Sequence, residues 1–172
     1  MPVQPRVKAF LAFLQKNPSV RQQIRAAPHR TLLYAGHFIR PMWQDIADMK
    51  RSSPQAADKE TLPDVLARIT LQDQPFPSLL AWAKDLDQLE PWSENGFIAW
   101  RALSGIFASN ATGAVSFQVG SGVDRSKVFT VTELAVLSRN PRVDAMTRDM
   151  LAYFERCIRS KEPGINFGFL SG

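Results

Sequence analysis

Apolar residues recur at helical spacing through the first two-thirds of this chain and then change period. Over residues 5–16, Val7, Phe10, Leu11 and Leu14 fall on one side of a helix that Pro5 can begin. Asn17 and Pro18 punctuate, and Ser19 is placed to cap a second helix through Ala27. On it Val20, Ile24 and Ala27 share one face, Arg21 and Arg25 lie one turn apart on a neighbouring face, and Pro28 ends it. Thr31 to Tyr34 fits a strand as well as a helix. Pro41 can open a helix carrying Met42, Ile46 and Met49, whereas residues 51–59, with Ser52, Ser53 and Pro54, have no apolar period and read as an exposed loop. Thr61 and Ser78 are candidate caps for helices reaching about Ile69 and Leu89. Ser93 precedes the most apolar helix, with Phe97, Trp100, Leu103, Ile106 and Phe107, which Asn110 to Gly113 closes.

From Ala114 the period becomes two. Val115, Phe117 and Val119 alternate with Ser116 and Gln118, a strand pattern, and 127–131 reads as a second strand across a short loop. Thr132 can cap a short helix to Ser138. Asn140 followed by Pro141 predicts a long helix to about Ser160 that buries Val143, Met146, Met150, Phe154 and Cys157. Ile165, Phe167 and Phe169 alternate again. The expected fold is therefore α+β in one domain over 1–172: a helical N-terminal two-thirds packed on a small antiparallel sheet, made of a hairpin over 114–131 and a C-terminal strand over 165–170.

Composition changes this picture little. A chain of 172 residues with 45% hydrophobic residues can bury a core without staples. Cys157 is the only cysteine, so stability needs no oxidising compartment, and a cytoplasmic location is expected. The apolar run from Ala9 to Leu14 is too short for a signal peptide, and no stretch approaches the ~20 apolar residues of a membrane span.

Charge changes it more. Residues 1–44 hold seven Lys and Arg and no acid, 45–99 hold ten acids against five bases, and 100–172 hold nine bases against six acids. A basic first quarter attracts phosphate or acidic protein surfaces. The residues expected to form that surface are Arg6, Lys8, Arg21, Arg25, His29 and Arg30, with Tyr34, His37, Phe38 and Trp43 nearby as stacking candidates. The competing reading is a solvated face that pairs with the acid-rich middle of the same chain.

No motif dictates a reaction. Two histidines, His29 and His37, and one cysteine supply no metal-ligand spacing, so no metal and no cofactor are expected. Gly120, Ser121 and Gly122 lack the rest of any phosphate-loop fingerprint and read as a hairpin loop. Asp85 and Asp87 point apart on their helix, and Cys157 reads as a small buried hydrophobe. Glu133 stands where a strand hands over to a helix, which suits either a catalytic acid or a plain first-turn charge. The leading expectation is a non-enzymatic cytoplasmic binding or regulatory protein that engages an acidic protein partner or nucleic acid through its basic N-terminal helices. Its alternatives are an enzyme acting on a phosphate-bearing substrate near Glu133, Asp124 and Arg125, and a helical dimerisation module, a homo-oligomer, with no small ligand.

Overall fold

The segment whose pattern fits strand and helix equally is a strand, and it decides the topology. The computed structural model describes residues 3–35, 47–48, 50–51, 54–91, 94–119, 132–160 and 168–171. Strand β1 (Thr31–Ala35) pairs in parallel with β2 (Val115–Val119), in the register Thr31↔Val115 to Ala35↔Val119. Strand β3 (Gly168–Ser171) pairs antiparallel with the other edge of β2, Ser116 opposite Ser171. The order β1-β2-β3 makes β2 the central strand.

The expected antiparallel sheet is thus corrected to a mixed one built on a parallel pair. A strand has two hydrogen-bonding edges, and β1 and β3 occupy both edges of β2, so it has no hairpin neighbour across a short loop. The segment 127–131 assigned to that hairpin lies outside the described residues, as does most of the helix expected from Pro41. The physical reason β1 is hard to read is its burial on both faces. Leu32 and Leu33 point to opposite sides of the sheet, yet both are buried, so no alternation survives. Ser116 is likewise buried between Val115 and Phe117.

The helices pack around this sheet. Helix α1 (Pro5–Lys16) buries Val7, Phe10 and Leu14. Full burial of a side chain such as Phe10 is worth roughly 1.5–3 kcal/mol. The Phe10 and Phe13 rings of α1 each sit 5.1 Å from the Trp82 ring. Helix α2 (Pro18–Gln23) is shorter than its sequence suggests, and Ser19 does not cap it. The Asn110 side-chain amide donates to the carbonyls of Arg21 and Ile24 at 2.9 and 3.1 Å, satisfying the helix end before Pro28 is reached. Helix α3 (Leu62–Ala67) begins in a capping box in which Thr61 and Asp64 bond reciprocally. Burial pushes the Asp64 carboxyl up, but hydrogen bonds from Lys50 and Thr61 hold it below its usual value. Helix α4 (Leu79–Asp87) is capped by Ser78, whose hydroxyl accepts from Ala81 N at 3.1 Å. Helix α5 (Gly96–Ser109) buries Ala99, Leu103 and Phe107 at the centre of the core. The loop expected over 51–59 is not uniformly exposed, since Ala56 is fully buried.

The second half shifts two expected boundaries. Thr132 does not cap helix α6 (Leu134–Ser138). It lies in a π-type turn, and its buried hydroxyl accepts from Arg101 Nε at 3.2 Å. Asn140 does not start the long helix either. Its amide nitrogen donates to the carbonyls of Ala108, Ser109 and Ala111, closing α5, while its Oδ1 accepts from Arg142 N. Helix α7 (Ala145–Ser160) starts later, behind Asp144, whose carboxylate accepts from Thr147 N at 2.8 Å. That hydrogen bonding holds the Asp144 carboxyl below its usual range. The inward face also differs from the expected one. Thr147, Leu151 and Phe154 are buried, Phe154 edge-on to Phe117 at 5.0 Å, whereas Met146 is 60% exposed and Met150 and Cys157 are only half-buried. No helix among the described residues is long and apolar enough to cross a membrane.

Candidate anion-binding pocket

The six basic residues singled out in the sequence do not form one patch. Arg6 pairs with Asp85 across the α1–α4 contact. Arg21 turns back on α1, and its Nη1 donates to the carbonyls of Leu14 and Gln15 at 2.6 Å each. It therefore satisfies the last turn of that helix, where a cation also suits the dipole. His29 is exposed, yet it is fixed by backbone contacts. It adopts a left-handed φ of 64°, its Nδ1 accepts from Ala114 N at 2.9 Å, and its carbonyl accepts from Lys59. Lys8 and Arg30 are exposed, with no side-chain partner among the described residues.

Arg25 is different. It lies beyond the end of α2, so it is not the helical neighbour of Arg21 that the sequence suggests. It lines an open recess of about 600 Å³ with Gln22, Arg68, Asn110, Thr112 and Arg142, floored by the segment from Ala26 to Pro28. Three chain reversals converge here. Arg68 is the residue after α3, Asn110 the residue after α5, and Arg142 lies in the turn before α7. Each guanidinium is held differently. Arg68 pairs with Glu60 through Nη1 and donates to the carbonyl of Arg25 through Nη2 at 3.2 Å. Arg142 donates through Nη2 to the carbonyl of Ser109. The Arg25 side chain has no partner among the described residues.

These bonds leave most donors unused, because each guanidinium offers five N–H groups. Among the described residues no carboxylate lines the recess, and the acid attached to it, Glu60, accepts from Ala27 N at 2.8 Å as well as from Arg68. Three guanidinium groups against the Glu60 carboxylate give a locally positive concavity. Such an arrangement can take a carboxylate or phosphate group in bidentate fashion. Simple structural roles account for the bonds Arg68 and Arg142 make to carbonyls: Arg142 satisfies the last residue of α5, and Arg68 fastens the loop at Arg25. They do not account for the Arg25 side chain. Arg68 and Arg142 escape the sequence reading because they stand far along the chain from the basic block. Their one trace is a basic residue beside a helix terminator, a placement shared by many surface arginines.

A second polar cluster surrounds Glu133. It occupies the residue before α6 without bonding as a cap, and it is buried with Thr132 and Ser104. Burial pushes its carboxyl up to about 8, opposed only in part by a hydrogen bond from Ser104. Burial, reinforced by the negative charges of Glu133 and Asp64, also pushes the Tyr34 phenol well above its ordinary value. Glu133 is thus buried rather than an exposed first-turn charge, and its burial favours the neutral carboxyl. Asp124 and Arg125, grouped with it in the sequence, lie outside the described residues, as do His37, Phe38, Trp43 and the glycines at 120 and 122. Among the described residues, no three His, Cys, Asp or Glu side chains come together to hold a metal ion. No protein-family model, curated protein or solved structure matches this chain.

Proposed function

We propose that this chain is a non-enzymatic binding or regulatory protein of the cytoplasm, and that it receives an acidic segment of a protein partner in the Arg25–Arg68–Arg142 recess. The observation that carries the reading is Arg25: a basic side chain without a partner among the described residues, beside a recess where the described lining holds two further arginines and no carboxylate. Duplex nucleic acid is the weaker fit. It requires phosphate contacts spread along a surface, and Arg6, Arg21 and His29, which would extend the patch, are engaged within the chain. One concave site suits a single carboxylate or phosphate group presented by a flexible segment.

The test is a titration of wild type, Arg25→Ala and Arg142→Ala with a labelled glutamate-rich peptide, its phosphoserine counterpart and a DNA duplex, each at two salt concentrations. A lost charge-assisted hydrogen bond costs about 1.5–3 kcal/mol, so each variant should bind the acidic peptide roughly 10–100-fold more weakly. Screening over about 8 Å at physiological ionic strength should weaken the wild-type complex as salt rises. Binding to duplex alone would transfer the reading to nucleic acid. Peptide binding unchanged in both variants would end it.

A further inference from the structure

Among the described residues, the large apolar side chains most open to solvent are Met146, 60% exposed, and Tyr153, 45% exposed, and both belong to α7. They are not isolated. Met146, Met150, Tyr153 and Cys157 succeed one another at intervals of four, three and four residues, the spacing of a two-helix seam. The buried stripe of the same helix, Thr147, Leu151 and Phe154, is displaced from this seam by about 100° at 3.6 residues per turn. Helix α7 therefore presents two apolar faces. One rests on the sheet through Phe117, and the other runs along its outer side, with Met150 also touching the core.

The charges along the outer edge point to the occupant. Asp149 and Arg156 border the seam on the side away from the core, seven residues apart, both exposed and neither with a partner among the described residues. Two turns of helix separate them by about 10 Å, too far to pair with each other. If two such helices cross antiparallel about a two-fold axis near Met150 and Tyr153, Asp149 of each faces Arg156 of the other. Met146 of each then meets Cys157 of the other, and Met150 meets Tyr153. An interface of this kind is self-complementary, as a closed dimer requires. In a parallel arrangement the equivalent edges fall on opposite sides of the interface, so Asp149 and Arg156 of one copy would not meet those of the other.

We infer that a second copy of this chain docks on α7, antiparallel, along the seam Met146–Met150–Tyr153–Cys157, with reciprocal Asp149–Arg156 pairs at its edge. A single pair of helices is a small interface, so the dimer forms in a concentration-dependent equilibrium. The α7 seam shares no residue with the arginine recess.

The test is sedimentation equilibrium of the full chain over a wide concentration range, for wild type, Asp149→Arg, Arg156→Asp and the double exchange. Either single reversal places like charges opposite each other at two symmetric positions, and should weaken dimerisation about tenfold or more. The double exchange restores opposite charges and should recover wild-type association. Its unchanged net charge and an unchanged circular dichroism spectrum serve as the folding control. A wild type that stays monomeric throughout would overturn the inference. So would a dimer indifferent to the single reversals, or one that the double exchange fails to rescue.

Discussion

Replacing Glu133 by Gln should stabilise the protein at neutral pH and leave it unchanged at mildly acidic pH. In the fold this carboxyl is buried beside Ser104, and its pKa is pushed up from 4.5 to about 8. Between those two values the unfolded chain has lost a proton that the folded chain retains. Stability attributable to Glu133 therefore declines as pH rises through this window, by up to about 1.4 kcal/mol for each pH unit, and levels off above it. At pH 7 the accumulated cost is about 3 kcal/mol. Gln keeps the size of the side chain and can still accept from Ser104, but it has no proton to lose. Urea unfolding followed by tryptophan fluorescence at pH 5, 6, 7 and 8 should give nearly equal stabilities for the two proteins at pH 5 and a gap that widens with pH. Other shifted groups lie outside the window. Tyr34 is raised from an already alkaline value, whereas Asp64 and Asp144 are lowered, so the stability they contribute disappears only in stronger acid. A gap independent of pH would show that Glu133 is ionised in the fold and would refute the reasoning.

Four further outcomes follow from particular contacts. Arg21→Ala removes the donor to the carbonyls of Leu14 and Gln15 and should cost about 1 kcal/mol in chemical denaturation, while leaving acidic-peptide affinity unchanged. Asn140→Ala leaves the carbonyls of Ala108 and Ala111 without this donor and should cost about 1–3 kcal/mol, seen as a lower urea midpoint at constant slope. Gly113→Ala should destabilise by roughly 2 kcal/mol or more, because Gly113 has a φ of 73° and an added Cβ would lie 2.4 Å from the His29 ring. Adding His29→Ala should relieve the clash but not the backbone strain, so rescue in a thermal melt should be partial. Thr61→Ala dismantles the capping box of α3 and should lower stability by about 1 kcal/mol.

The sequence is most legible where local chemistry decides. Pro5 and the spacing of Val7, Phe10 and Leu14 specify α1, and Thr61 and Ser78 cap the helices expected of them. It misleads where a polar side chain has two uses. Asn140 before Pro141 has the pattern of a helix start, yet its amide closes a different helix, and α7 starts later, behind Asp144. Thr132 is similar: a capping residue by type, it serves Arg101 instead. The parallel pairing of β1 with β2 has no local signature, because Leu32 and Leu33 are both buried and Ser116 is buried with them. The recess was half legible. Arg25 stands out in an acid-free stretch, but Arg68 and Arg142 reach it only through tertiary folding.

The position of β2 also governs the order in which the chain can fold. Its parallel partner β1 is synthesised roughly 80 residues earlier, an interval of about 4–16 s at ~5–20 residues per second. Throughout it, Leu32 and Leu33 belong to a strand whose pairing edge does not yet exist. Helices α1 to α5 can gather locally, but the sheet that joins the first quarter of the chain to the last is a late, non-local event, and such closures are slow. The newborn N-terminal segment thus presents an unpaired apolar strand to its surroundings, a site for chaperone capture or for mispairing between neighbouring nascent chains.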